Sequence, residues 1–157
     1  AKVSGRMKAG FTADFIGLPD GLPGLRAVYG LAPREVNALA PLQLIASLRP
    51  HLARGARIGV VSSRMGSIAD NGSGGYYGYR MSKAALNAGA RSLAIDLAPQ
   101  QVAVFILHPG FVQTGMTGGR GVSTPEQAAS QLLARVDTLG LAESGRFWHA
   151  NGMPLPW

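Results

Sequence analysis

Arg57-Ile58-Gly59-Val60-Val61-Ser62-Ser63 decides the fold, together with its counterpart Val102-Ala103-Val104-Phe105-Ile106-Leu107-His108-Pro109-Gly110. Each is a short apolar run that breaks off into polar, proline or glycine residues, the pattern of a strand buried on both faces. Between them, Tyr79 to Ala98 is rich in alanine and leucine and is closed by Pro99, which reads as a helix. A strand, a helix and a second buried strand predict a parallel pair joined by a crossover.

The reading extends in both directions. Upstream, from Pro33, the residues Val36, Leu39, Leu42, Ile45, Leu48 and Leu52 recur at helical spacing, with Pro33 suited to a first turn. Pro41 and Pro50 predict a bend or an irregular turn in that helix. Downstream, Thr124 to Leu139 predicts a third helix, capped by Ser123 or Thr124, with Pro125 first and Glu126 in its first turn. Arg146 to Ala150 predicts a last short strand. The expected fold is α/β, a truncated doubly wound parallel sheet of about three strands with three main helices, whose first strand leaves an edge where further strands are expected. Gly10, Gly17, Pro19, Gly21, Pro23 and Gly24 interrupt every period near the start. Residues 1–32 are therefore expected to be irregular or disordered, and residues 33–157 to form one folded unit.

Composition narrows the classes of function. Of 157 residues, 46% are hydrophobic and 15% charged, a balance suited to a packed core and not to a disordered tail. No apolar run approaches the roughly 20 residues of a membrane-spanning helix, and the lysines and arginine near the start have no apolar stretch behind them, so no secretory signal is read. A cytoplasmic setting without a membrane is expected. With no cysteine, thiolate chemistry and cysteine metal sites are excluded. His51, His108 and His149 show no metal-ligand spacing, and no metal is expected. The net charge of +7 is spread along the chain without a basic run, which argues against nucleic-acid binding.

In open α/β sheets ligands sit beyond the carboxyl ends of the strands, so Ser62, Ser63 and His108 to Gly110 are the informative positions. Tyr79 and Lys83 are spaced i, i+4 on one helix face, where an ammonium can reach toward a phenol. A phenol titrates near pH ~10 and needs a cation beside it to exchange protons near neutrality. Ser63 could donate a hydrogen bond to a carbonyl oxygen gaining charge. Ser62 and Ser67 read as turn residues, and His108 as a satisfied strand-end histidine. Tyr76 and Tyr77 either line a substrate cleft or pack the loop, and Trp148 and Trp157 are assigned to core and tail.

Tyr79-Arg80-Met81-Ser82-Lys83 resembles the YxxxK signature of the short-chain dehydrogenase/reductase family. Order and context add weight: Ser62-Ser63 with Gly66 follow a buried strand, and Pro109-Gly110-Phe111-Val112-Gln113-Thr114 resembles the family's PGxxxT. Asn37, in Val36-Asn37-Ala38-Leu39, resembles the helix asparagine of the family's catalytic tetrad. Ser144 to Trp148 and the closing Pro154 to Trp157 resemble the C-factor-like or sniffer-like carbonyl-reductase branch, and the natural C-terminus is expected to be present.

The resemblance implies a Rossmann-like fold and hydride transfer between NAD or NADP, with NADP favoured, and a carbonyl or secondary alcohol. Tyr79 would be the general acid or base, Lys83 would tune it and bond the nicotinamide ribose, and Ser63 would polarise the carbonyl. Asn37 would hold a water leading to Lys83. Tyr79, Lys83, Pro109, Gly110, Val112 and Thr114 would face the cofactor. A homo-oligomer through the helices starting near Asn37 and Tyr79 is implied, helped by the small residues Ala84, Ala85, Ala88, Gly89 and Ala90. The family's glycine-rich pyrophosphate turn is missing from the sequence, so cofactor binding by this chain alone is expected to be weak. A shifted coding frame, a fragment and a real truncation stay open as readings. The alternative role is a non-catalytic interaction or signalling protein built on the same half-fold.

Overall fold

The computed structural model describes residues 38–157. Its principal elements run in the order α1 (Leu39–Leu48), β1 (Arg57–Val61), α2 (Tyr77–Leu97), β2 (Ala103–His108), α3 (Pro125–Thr138) and β3 (Phe147–His149). The three strands form one parallel sheet in the order β1-β2-β3. Register sets Ile58 beside Val104 and Ile106 beside Phe147. The expected α/β architecture is therefore present, with bounds within two residues of the sequence reading for every element past α1.

Strand alternation decides which helix covers which face. Val104 and Ile106 of β2 face one side, where Ile58, Val60, Phe147, Ile45, Leu86, Ala90, Ala94 and Leu97 complete a core under α1 and α2. Ala103, Phe105 and Leu107 face the other, where Leu132, Val136 and Ala150 form a second core under α3. Phe105 and Ile106 are both fully buried, so β2 is the centre of the molecule and its continuous apolar run is explained.

Glycine sets the spacing of two layers. A side-chain carbon at Gly59 would come within 2.9 Å of Val136 Cγ2, so its absence lets α3 lie close on β1. At Gly89 it would overlap Leu42 Cδ1, so α1 and α2 pack tightly within a single chain. Part of the small-residue stripe of α2 thus serves an internal contact.

Of the two prolines, Pro50 gives the irregular turn expected and Pro41 does not bend the helix. Pro41 lies in the first turn of α1, where no backbone donor is lost, and Pro50 falls in the 3₁₀ turn Arg49–His51 that ends it. The start of the predicted helix, from Pro33 to Asn37, lies outside the described residues. α3 has a reciprocal cap. Thr124 Oγ1 accepts from the Gln127 amide at 3.3 Å, and Gln127 Oε1 accepts from the Thr124 amide at 3.0 Å. At its other end, Arg57 Nη1 donates to the Asp137 carbonyl at 2.5 Å, placing a cation on the free carbonyls. Thr124→Ala is expected to cost about 1 kcal/mol in urea denaturation, since one half of the reciprocal pair disappears.

Candidate active site

Ser63, Tyr79 and Lys83 come from the two segments that meet beyond the carboxyl end of β1. α2 carries the tyrosine and lysine one turn apart, and Lys83 Nζ lies 5.8 Å from the centre of the Tyr79 ring. Lys83 is drawn inward, and burial holds its ammonium below the usual lysine range. Among the described residues it makes no ion pair. An unpaired, partly desolvated cation on this helix face is the electrostatic centre of the site.

The serine turn is fitted onto that helix. Residues 64–66 make one 3₁₀ turn after Ser63, and Gly66 lies directly on the Lys83 backbone. A side-chain carbon at Gly66 would stand 2.7 Å from the Lys83 carbonyl carbon, so only glycine lets the turn come this near. Ser63 Oγ accepts from the Met65 amide at 3.2 Å, which leaves the Ser63 hydroxyl proton available to another oxygen. The adjacent serine differs. Ser62 donates its proton to Asn87 Oδ1 at 2.5 Å, both side chains being buried, so it is engaged in the core. Ser62 is therefore not simply the turn residue expected from sequence, whereas Ser67 is, its Oγ accepting from the Asp70 amide at 3.1 Å.

The segment before α2 is held by Arg80, which donates to the Gly75 carbonyl at 3.1 Å, the Gly74 carbonyl at 3.2 Å and Ser73 Oγ at 2.9 Å. Tyr76, at φ 51°, occupies the left-handed region that costs a non-glycine residue energy. Tyr76 and Tyr77 are 75% and 79% exposed, so they do not pack the loop.

At the end of β2, Pro109 and Gly110 lead into a loop closed by the bridge between Val112 and Ser123. Within it the Thr114 amide donates to Thr117 Oγ1 at 3.0 Å, and Thr117 donates to the Val112 carbonyl at 2.8 Å. Pro109, Gly110, Val112 and Thr114 therefore follow the strand next to the one that Ser63 follows, at the same end of the sheet. Asn37 lies outside the described residues.

His108 departs from the expected satisfied histidine. Its Nδ1 is buried without a hydrogen-bond partner, and the His149 ring stands edge-on at 5.1 Å. Burial first, then His149 and Arg64, push its pKa down to about 4, while Asp70 opposes them. The unfolded imidazole takes a proton near pH ~6.5 and the folded one only near its lowered value. Between those values the unfolded state binds more protons, so stability falls as pH falls. We expect a loss on the order of 3 kcal/mol across this window, absent in His108→Gln, by urea denaturation at a series of pH values.

Comparison with known proteins turns this arrangement into a family assignment. The family described as enoyl-(acyl carrier protein) reductase matches residues 33–141. The chain belongs to the short-chain dehydrogenase/reductase family. This dehydrogenase/reductase chain is 46% identical over 127 residues to 1-hydroxy-2-glutathionyl-2-methyl-3-butene dehydrogenase of Rhodococcus sp. (strain AD45), covering 78% of this chain and 56% of that protein. It is 44% identical over 124 residues to C-signal of Myxococcus xanthus, covering 78% and 75%. Among solved structures it is similar to the carbonyl reductase Sniffer of D. melanogaster, with a TM-score of 0.74, 34% identity, and coverage of 79% of this chain and 55% of that one. It is also similar to an NADPH-bound carbonyl reductase from chicken fatty liver, with a TM-score of 0.72, 28% identity and coverage of 95% and 63%. The chain thus spans little more than half the length of the Rhodococcus and D. melanogaster relatives.

Among the described residues no helix is long and apolar enough to cross a membrane.

Proposed function

We propose that this chain carries the proton-transfer half of an NAD(P)-dependent carbonyl reductase or alcohol dehydrogenase. The observation that carries the reading is the partly desolvated Lys83, without an ion pair among the described residues, one helical turn from Tyr79, with the serine turn seated on the same helix. Tyr79 gives its phenolic proton to the substrate oxygen in reduction and takes one in oxidation. Ser63 directs its free hydroxyl proton at the same oxygen, where negative charge develops. Lys83 brings a half-buried cation one helical turn from the phenol. Asn37 would complete the set through water.

The residues present fit the nicotinamide end of the cofactor. Lys83, half-buried and without a carboxylate partner among the described residues, suits hydroxyl oxygens of a ribose, and Pro109, Gly110, Val112 and Thr114 suit the ring and its amide. When bound, the nicotinamide supplies the hydride. For the pyrophosphate, no glycine turn among the described residues directly joins a strand to a helix, and the glycines of 72–78 and 115–121 lie mostly in exposed loops. NADP is favoured over NAD by the NADPH-bound chicken reductase and by an NADP-bound putative short-chain dehydrogenase/reductase from Burkholderia multivorans, 32% identical with a TM-score of 0.67. The expected setting is the cytoplasm. A second copy would meet α2 at its exposed Ala85 and Ala88.

The test is NADPH oxidation by the purified chain with a panel of small ketones and aldehydes, alongside NADPH fluorescence at millimolar cofactor. Neither turnover nor a fluorescence change would remove the enzymatic reading for this polypeptide. A second reading, an interaction or signalling role without catalysis, is favoured by the 44% identity to C-signal. It expects Tyr79→Phe to leave that role untouched.

A further inference from the structure

Asn87 shares the helix face of the candidate site, since Tyr79, Lys83 and Asn87 follow one another at intervals of four along α2. It is 2% exposed, between Leu86 and Ala90 of the core, where a leucine would fill the space without a buried amide. Instead its Oδ1 accepts from Ser62, and its Nδ2 is buried with no hydrogen-bond partner among the described residues. A buried amide so costly to retain calls for a reason beyond packing.

Ser62 supplies one. It is the first residue after β1, and its amide donates to the Leu107 carbonyl of β2 at 2.7 Å. The Asn87 to Ser62 bond therefore ties β1, β2 and α2 at one point. Four residues on, Gly66 rests on the Lys83 backbone. One contact fixes where the turn starts and the other fixes its rotation, and Ser63 lies between the two.

We propose that Asn87 is a positioning residue: through Ser62 it sets how the Ser63 to Gly66 turn sits on α2, and so where the Ser63 hydroxyl stands relative to Tyr79 and Lys83. Its catalytic consequence rests on the function proposed above, but the placement itself does not.

The test uses the full 157-residue chain, which has only three lysines, Lys2, Lys8 and Lys83. NMR titration of the lysine ε-methylenes, with Lys83→Arg to assign the signals, reads the surroundings of Lys83 directly. In the native chain Lys83 is expected to titrate below the usual lysine range. In Asn87→Leu, and separately in Ser62→Ala, its titration moves up toward the usual lysine range as the turn loosens and water enters. The double variant moves no further than either single one, because both break the same bond. Ser62→Thr, which keeps a hydroxyl, restores the native titration.

An unchanged Lys83 titration in a folded Asn87→Leu chain, or additive shifts in the double variant, overturns the proposal. If Asn87→Leu does not fold, Ser62→Ala and Ser62→Thr decide it alone. With turnover present, Asn87→Leu lowers kcat about 10- to 100-fold with cofactor KM unchanged. A Lys83 shift in a chain without turnover upholds the positioning role and removes the function reading instead.

Discussion

If the proposed function holds, Tyr79→Phe is expected to lower carbonyl reduction by about two to four orders of magnitude and to leave the unfolding midpoint where it was. Both halves follow from the site. The phenolic oxygen is the only group of Tyr79 able to exchange a proton, and phenylalanine keeps the ring that lies 5.8 Å from the Lys83 ammonium. The hydrogen bonds that hold this part of α2, those of Arg80 and of Ser82 to the Tyr79 carbonyl, do not use the phenol. The loss therefore falls on kcat, with the apparent affinity for cofactor little changed. Steady-state rates at saturating NADPH check it, with thermal unfolding of both chains as the stability control. A variant keeping more than about a tenth of the native rate would mean that water or another side chain supplies the proton. Ser63→Ala acts on the same oxygen through a single hydrogen bond and is expected to cost about 10²- to 10³-fold.

The layering of the fold was legible because β2 is central. A strand covered on both faces must be apolar at every position, and Val102 to Leu107 is. The Thr124 cap was legible for a similar reason, since its partners lie three residues apart along the chain and depend on nothing distant. Tyr79 and Lys83 were legible as a pair through helical spacing.

What resisted reading depends on contacts between distant segments. Ser62 and Ser63 are chemically identical neighbours, and only the arrival of Asn87 from α2 separates the engaged hydroxyl from the free one. Asn87 had one visible signal, its spacing of four from Lys83, but spacing does not tell a buried polar side chain from a solvated one. His108 was expected to be satisfied, yet the residue across the sheet from it is another histidine in parallel register, and its Nδ1 finds no partner. Asn37 lies outside the described residues, so its place in the tetrad rests on resemblance.

Gly66→Ala is expected to destabilise the chain by about 1–3 kcal/mol and, in the same variant, to lower turnover roughly 10- to 100-fold. Gly66 does not occupy the left-handed region, so its conformation alone would admit alanine. The obstacle is space. The added carbon would meet the Lys83 carbonyl carbon at 2.7 Å and its oxygen and Cβ at 2.9 Å. Two of these are backbone atoms inside a 21-residue helix and cannot swing aside as the end of a flexible side chain would. The turn must lift off α2 instead, carrying Ser63 with it and letting water reach Lys83. Gly72→Ala is the matched control, because a side-chain carbon there meets nothing within 4 Å. Its urea midpoint should stay within about 0.5 kcal/mol of the native chain. A Gly66→Ala midpoint equal to that of Gly72→Ala would show that the turn has room to spare, and the tight seat of the turn after Ser63 on the Lys83 backbone would be lost as an explanation of how the site is built.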